Sequence, residues 1–423
     1  MSTMSTHGAQ GVAAGPGAAV VGTSVVGLAT ALGCAQSGVP VTLIGPCPVG
    51  PAGKPSGRTV ALSPEAGRLP AEAGRQPGEG WDPRIYAISA ASRELLERER
   101  VWGQVDPARC CAVMQMKVFG DDGGHLQFDA RTAGVECLAT ICEERQLLQA
   151  LWLGCSMAPN ITHLEQGFAS ARFEGGSVRL ALQDGRRLDC ELLLGADGKH
   201  SAVRAAAGIS AHTRSYGHTA LVANFECERA HHGVAYQWFT GTEGVVALLP
   251  LPGPRVSLVW SAPSALAPEL ESLSAEAFAE RVARRSLHAL GDLRLLGAPH
   301  AFELNRIAVD RLVAPGIALL GDAAHVVHPL AGQGLNLGLQ DVSDLLRCLR
   351  EKEAWRKLGD LVWLRRYERS RAEPVALMRG TVGGLAWLFD STDRRLRLAR
   401  NVGLSAVDRL APLKHALIRH AMG

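Results

Sequence analysis

The densest chemistry in the chain lies in residues 321–341, GDAAHVVHPLAGQGLNLGLQD. A short apolar strand over 318–320 runs into Gly321-Asp322. A carboxylate therefore stands at the carboxyl end of a strand, the end at which open α/β sheets bind ligands. His328-Pro329 follows, then Gly332, Gln333, Gly334 and Asn336. The glycines let backbone approach a flat ligand closely. A helix that begins here aims its free N–H groups and its positive end at that ligand. Such an array suits a ring that gains negative charge along one edge on reduction, as a flavin does. A glycine-rich helix start with buried polar caps would use the same residues. His325 and His328 have no acidic cluster beside them, so caps or packing account for them and no metal is expected.

Two further turns have the same character. Gly22-Thr-Ser-Val-Val-Gly27 follows an apolar strand and opens a helix, the setting of a dinucleotide fingerprint. Gly22 would make the tight turn and Gly27 would let helix and strand pack closely. Ser24 stands where the middle glycine is usual, and its hydroxyl could reach a phosphate. An acid to hold a ribose belongs about 20 residues further on. The strand there ends VTLIGP, which puts Gly45 in that place. The third turn is GADGKHSAVR, 195–204. Asp197 could order the local backbone or bond a ribose, Ser201 could cap the next helix and Arg204 could anchor it.

These residues need a scaffold of alternating strands and helices. Strands over 18–21 and 41–44 flank a helix ending near 37, a βαβ beginning. Residues 46–80, rich in Pro, Gly, Arg and Ala, read as a long surface loop. Helices are expected from about 89 and over 143–152. Strands are expected over 169–173, 178–182 and 188–194, with Gly185 in a hairpin turn. A sheet-rich stretch follows, with strands over 219–227, 235–240, 244–250 and 255–261. The fold class is therefore α/β with an α+β insert. A discontinuous Rossmann-like cofactor domain, 18–212 with 305–390, receives an antiparallel-sheet substrate domain over 213–304. The C-terminus is helical, and 1–17 form a disordered lead.

The bulk numbers fit a folded chain of two domains, or one large α/β unit with an inserted subdomain. The chain has 423 residues, 47% apolar and 20% charged, enough for a sizeable core. A net charge of +3 gives no reason to expect nucleic acid. Ten cysteines occur without a CxxC pair, as reduced thiols of a cytoplasmic protein would. The first residues do not read as a signal peptide, and no run reaches the roughly 18 apolar residues of a membrane span. Residues 391–423 read as a basic amphipathic helix with Val407, Leu410, Leu413 and Leu417 at helical spacing. It could lie on the inner face of a membrane, dock on a partner or pack on its own domain.

The three turns, in this order, resemble those of the class A flavoprotein aromatic hydroxylases. The resemblance is closest to the ubiquinone-biosynthesis hydroxylase family of the UbiH/UbiF type. It is carried by DPRIYAISAASRELLE (82–97), GADGKHSAVR (195–204), AYQWF with VVALLPLP (235–252), GDAAHVVHPLAGQGLNLGLQDV (321–342) and RRYERSR (365–371). It implies non-covalent FAD, NAD(P)H as electron donor and O2 as co-substrate. Asp322, next to Gly321, would hold the ribityl chain. Pro329, Gly332, Gln333, Gly334 and Asn336 would line the isoalloxazine. Gly22, Ser24 and Gly27 would receive the pyrophosphate, and Arg84 and Asp197 would lie beside the cofactor. The implied reaction adds O2 at flavin C4a and transfers one oxygen to a prenylated phenol. His328 and Pro329 would wall the reaction site, and Gln237 and Phe239 would face the substrate unless they are plain core residues. Contact with other ubiquinone-biosynthesis proteins or with the membrane would suit such a substrate. Another substrate, either a small phenol or a prenyl chain, and a flavin-poor accessory role remain the alternatives. The departures at Ser24 and Gly45 touch only the adenosine end.

Overall fold

Strand Ala18–Val21 is buried along its whole length, as a parallel sheet covered on both faces requires. Ala18 and Val20 enter one core, shared with helices, while Ala19 and Val21 enter another. That is the two-residue alternation of a strand. The computed structural model describes residues 17–50, 54–55, 80–328, 333–390, 393–410, 414 and 417–418. The expected lead, most of the loop 46–80, and Pro329, Gly332 and Leu413 lie outside the described residues.

The first sheet has six strands in the order Ile161–Leu164, Val41–Ile44, Ala18–Val21, Leu192–Gly195, Ile317–Leu319, Val313–Ala314. The first five are parallel and the last is antiparallel. Three motifs remote in sequence therefore leave neighbouring strands at one edge. The backbone ties them directly: Ala196 N donates to Val21 O at 2.8 Å and Leu320 N to Gly195 O at 2.9 Å. Helices Val25–Gln36, Glu144–Met157 and Gln333–Glu351 cover one face. Strands Phe168–Glu174, Ser177–Leu182 and Arg187–Cys190 form an antiparallel sheet over the other.

The single strand expected over 188–194 is two. Arg187–Cys190 alternates exposed and buried residues in the small sheet, whereas Leu192–Gly195 is buried throughout in the parallel one. The larger sheet also exceeds its expected limits. Its order is His325–Val326, His300–Val309, Ala211–Cys227, Arg255–Pro263, Val245–Leu251, Val234–Phe239, Gln115–Phe119, His125–Asp129, with Leu293–Leu295 paired to Ala211–Cys227. Strands before 213 and beyond 304 belong to it, which corrects the boundaries 213–304. Gln115–Phe119 pairs in parallel with Val234–Phe239, so the sheet is not wholly antiparallel. That hairpin covers an edge that would otherwise expose unpaired backbone.

The C-terminal part forms helices Leu361–Asp390 and Arg394–Arg409. The second docks on the Gln115–Asp129 hairpin through its polar side. Buried Arg400 meets Asp121. Asn401 accepts from Asp122 N and Gly124 N, and Asp408 accepts from Gln127 N at 2.9 Å. Val407 turns inward toward the cluster of Val118, Leu126, Phe239 and Phe389, while Leu398, Val402, Leu410 and Leu417 are exposed. The tail is thus packed on its own protein by one side; of the residues read from spacing, Val407 turns inward, Leu410 and Leu417 are exposed, and Leu413 lies outside the described residues.

One buried group works against stability. Glu99 is 4% exposed and neither carboxylate oxygen has a hydrogen-bond partner. Burial pushes its carboxyl well above the ordinary range, against the pull of Arg98 and Arg350. Arg100 beside it holds a φ of +61°. As pH rises past about 4.3 the unfolded chain ionises Glu99 while the folded chain resists, so its contribution falls with rising pH. Glu99→Leu should raise stability by about 1–3 kcal/mol near neutrality, the cost of an unpaired buried polar group. The gain in melting temperature should be larger at pH 8 than at pH 5, and an equal gain at both would contradict this.

Candidate active site

Asp341, fully buried in helix Gln333–Glu351, organises the strand end that carries Asp322. Its Oδ2 accepts from Gly321 N at 2.9 Å and lies 2.7 Å from His325 Nε2. Its Oδ1 accepts from Arg371 Nε at 2.6 Å. Arg371, 2% exposed, also reaches Asp344 and the Leu337 carbonyl. Burial opposes ionisation of Asp341, but His325, Arg371 and the Gly321 N–H outweigh it and hold the carboxyl below its ordinary range. Tyr367 adds a bond from its hydroxyl to Leu319 O at 2.9 Å. Gly338 completes the junction, because a Cβ there would press on Val26 and the Gly321 backbone.

Held this way, Gly321 takes a φ of +56° and Asp322 turns outward to solvent. Protein packs close to the carboxylate although solvent reaches it. That crowding lifts its pKa above the ordinary value, more than His325, Lys199 and Arg84 lower it. Arg84 is exposed and contacts Glu144 at 3.4 Å, and Tyr86 donates to the same carboxylate at 3.1 Å. The sequence reading missed Tyr86 and Glu144. Arg84 was legible only because it sits in a recognisable segment.

The Gly22 turn fits a dinucleotide. Gly22 has a φ of +117°, and a Cβ there would overlap the Ala196 carbonyl. A Cβ at Gly27 would overlap Gly22 O, so helix and turn touch backbone to backbone. Ser24 is exposed and caps the helix, its Oγ accepting from Gly27 N at 3.5 Å.

Asp197 works inside its own turn. It accepts from Ser201 Oγ at 2.5 Å and from Val203 N at 3.1 Å, while Ser201 caps the helix through Arg204 N. Arg204 then donates to Ala323 O at 2.9 Å, tying this motif to the Gly321-Asp322 turn. Of the two roles open to Asp197, the structure displays the ordering of the backbone.

At the start of helix Gln333–Glu351, Gln333 and Gly334 are half-buried, and a Cβ on Gly334 would meet open space. Asn336 differs from expectation. Its amide is 1% exposed and spent on backbone, accepting from Ser89 N at 3.0 Å and donating to Ala87 O at 2.8 Å. It therefore clamps the helix start to strand Ile85–Ile88 instead of presenting its amide to a ligand.

His328 is buried with its ring edge-on to Tyr216 at 4.7 Å and to His218 at 6.2 Å. Burial, with His218 nearby, lowers its pKa to about 4, so the ring is neutral near pH 7. Burial raises the Tyr216 phenol, which stays protonated. Both rings are uncharged near pH 7, and Arg306 and Arg379 stand close enough to Tyr216 to lower its pKa against the effect of burial. Tyr216 and His218 carried no sequence signal. Gln237 and Phe239 do share one face of their strand, opposite Trp238, but both are buried. Phe239 stacks on Phe389 at 3.4 Å between centroids, which is core packing against the last long helix.

An extended dinucleotide with a flat ring fits these residues. The Gly22 turn opens a helix start at the exposed Ser24, an exposed carboxylate stands at the next-but-one strand end, and a Cβ on Gly334 would meet open space. A family model described as FAD binding domain matches residues 164–378. The chain is 37% identical to ubiquinone hydroxylase UbiL of Rhodospirillum rubrum, over 81% of this chain and 80% of that protein. It is 33% identical to 3-demethoxyubiquinol 3-hydroxylase of Escherichia coli, over 96% of this chain and 98% of that protein. The structure of p-nitrophenol 4-monooxygenase PnpA from Pseudomonas putida DLL-E4 superposes with a TM-score of 0.72 at 16% identity, covering 96% of this chain and 98% of that one. Fold and site define an FAD-dependent monooxygenase. Within that class the chain belongs to the ubiquinone-biosynthesis hydroxylase family.

Asp341 gives a direct test of the junction. Its contribution is complete above about pH 4, where an unfolded Asp is ionised, and is lost as pH falls through the lower folded value. Asp341→Asn leaves buried Arg371 with Asp344 alone as charge partner and should cost about 3–5 kcal/mol at pH 7. The deficit, read by urea titration, should shrink toward pH 3. A loss that does not change with pH would show that the ionised carboxylate is not what matters.

Proposed function

We propose that this protein hydroxylates the aromatic ring of a polyprenylated phenol in ubiquinone biosynthesis, using FAD, O2 and electrons from NAD(P)H. The observation that carries the reading is the exposed Asp322 carboxylate at the end of a buried parallel strand, on the same sheet edge as the Gly22 and Gly195 turns. The substrate class rests on the names of the two relatives, which cover most of the chain. Bound FAD would supply the oxygen activation that protein side chains cannot. Asp322 would accept hydrogen bonds from the ribityl hydroxyls. The Gly22–Gly27 turn, with Ser24, would offer N–H groups and the helix's positive end to the pyrophosphate. Arg84 would add positive charge beside the cofactor. Gln333 and Gly334, with the positive end of their helix, would favour the charge that gathers on the reduced ring. His328 and Tyr216 would exclude water and seat the phenol ring without competing for its proton.

Purified protein should show flavin absorbance or acquire it with added FAD. Oxidation of NAD(P)H should accelerate with a prenylated phenol, and labelled O2 should place one oxygen atom on the product ring. Protein that cannot take up FAD would sink the reading. Turnover confined to small soluble phenols would move it to a different substrate.

The exposed apolar residues Leu398, Val402, Leu410 and Leu417, together with exposed Arg394, Arg395, Arg397 and Arg409, support contact with an anionic bilayer, where such a substrate resides. Leu398→Glu with Val402→Glu leaves the inward face untouched. The pair should reduce sedimentation with anionic liposomes about tenfold while the melting temperature holds. Unchanged sedimentation would remove the membrane from the proposal. Among the described residues no helix is long and apolar enough to cross a membrane.

A further inference from the structure

The dinucleotide turn lacks an acid at Gly45, and the geometry around that gap explains why an acid would not fit there. Gly45 is buried with a φ of +151°, and a Cβ would press on the Thr23 side chain at 3.0 Å. Thr23 is itself fixed by donating to Pro46 O at 2.8 Å. His163 Nε2 lies 2.9 Å from the Gly45 carbonyl and holds it from the other side.

The neighbouring strand supplies a carboxylate instead. Ile161–Leu164 runs parallel to Val41–Ile44 with Leu164 opposite Ile44, and Gly45 N donates to Leu164 O at 3.2 Å. Glu165 comes next and is exposed. Its Oε1 accepts from Cys47 N at 3.3 Å, so the side chain reaches across the end of strand Val41–Ile44, past the gap at Gly45. Its other oxygen has no protein donor among the described residues. A carboxylate therefore stands one strand over from the position at which a βαβ turn ordinarily holds a ribose.

We propose that Glu165 replaces the missing acid and binds the adenosine ribose hydroxyls of FAD. The assignment rests on the flavin reading above. It accounts for an altered motif in a chain whose flavin end is intact. Glu165 is then a positioning residue for the adenosine half, with no part in ring chemistry.

The test is a flavin fluorescence titration of the apoprotein with FAD, with FMN, and with FAD whose adenosine ribose lacks both hydroxyls. Wild type should bind FAD about tenfold or more tightly than the dideoxy analogue, the worth of a hydrogen bond to a charged group. Glu165→Ala should bind FAD and the analogue alike and keep wild-type affinity for FMN. Glu165→Gln retains an acceptor for Cys47 N. A role confined to that loop predicts wild-type FAD affinity for it, whereas ribose binding predicts a clear loss. Glu165→Ala that still distinguishes FAD from the analogue tenfold overturns the assignment. A wild type that takes up neither FAD nor FMN overturns the flavin reading and this assignment with it.

Discussion

A single buried carboxylate, Asp341, meets a strand end, a histidine and an arginine, and the rest of the site depends on that junction. Removing charge from water is costly unless every partner is in place. Here Gly321 N, His325 and Arg371 come from three separate elements, all converging on the one carboxylate. The consequence is a fixed left-handed turn at Gly321, which is what sends the next side chain, Asp322, outward to solvent. A strand end without that constraint could place its carboxylate in many directions.

The other two motifs are tied to this one through backbone. Arg204 of the second motif holds the Ala323 carbonyl, and the second strand's Ala196 carbonyl lies against Gly22 of the first so closely that Gly22 tolerates no side chain. Three stretches of sequence thus form one continuous edge. Asp322 and Arg84 are exposed, whereas the His328 ring is buried and neutral near pH 7.

Much of this was legible in the sequence, for identifiable reasons. The strands at 18–21 and 41–44 and the helix between them follow from apolar runs bounded by glycine, and they stand where expected. Gly22, Gly27 and Gly321 were found because glycine is demanded where backbone meets backbone. Tyr216 and His218 were not found, since they approach His328 only through a bulge in the long strand Ala211–Cys227. The hairpin at Gln115–Asp129 was missed because its strands mix polar and apolar residues and join the sheet through a parallel pairing with a strand more than a hundred residues away. Asn336 was assigned to a ligand on its motif position, yet its amide serves Ala87 and Ser89. A side chain's partner in the fold cannot be read from spacing within its own motif. Pairing between distant segments decides these cases, and local pattern carries no record of it.

The central claim is that the Asp341 junction aims Asp322 at a flavin's ribityl chain, with the ring over the start of helix Gln333–Glu351. A crystal structure of the protein saturated with FAD tests it most directly. The account predicts an Asp322 carboxylate oxygen within hydrogen-bond distance of a ribityl hydroxyl and the isoalloxazine edge beside the Gln333 and Gly334 backbone. A flavin bound elsewhere, or one whose chain passes Asp322 without contact, would contradict it.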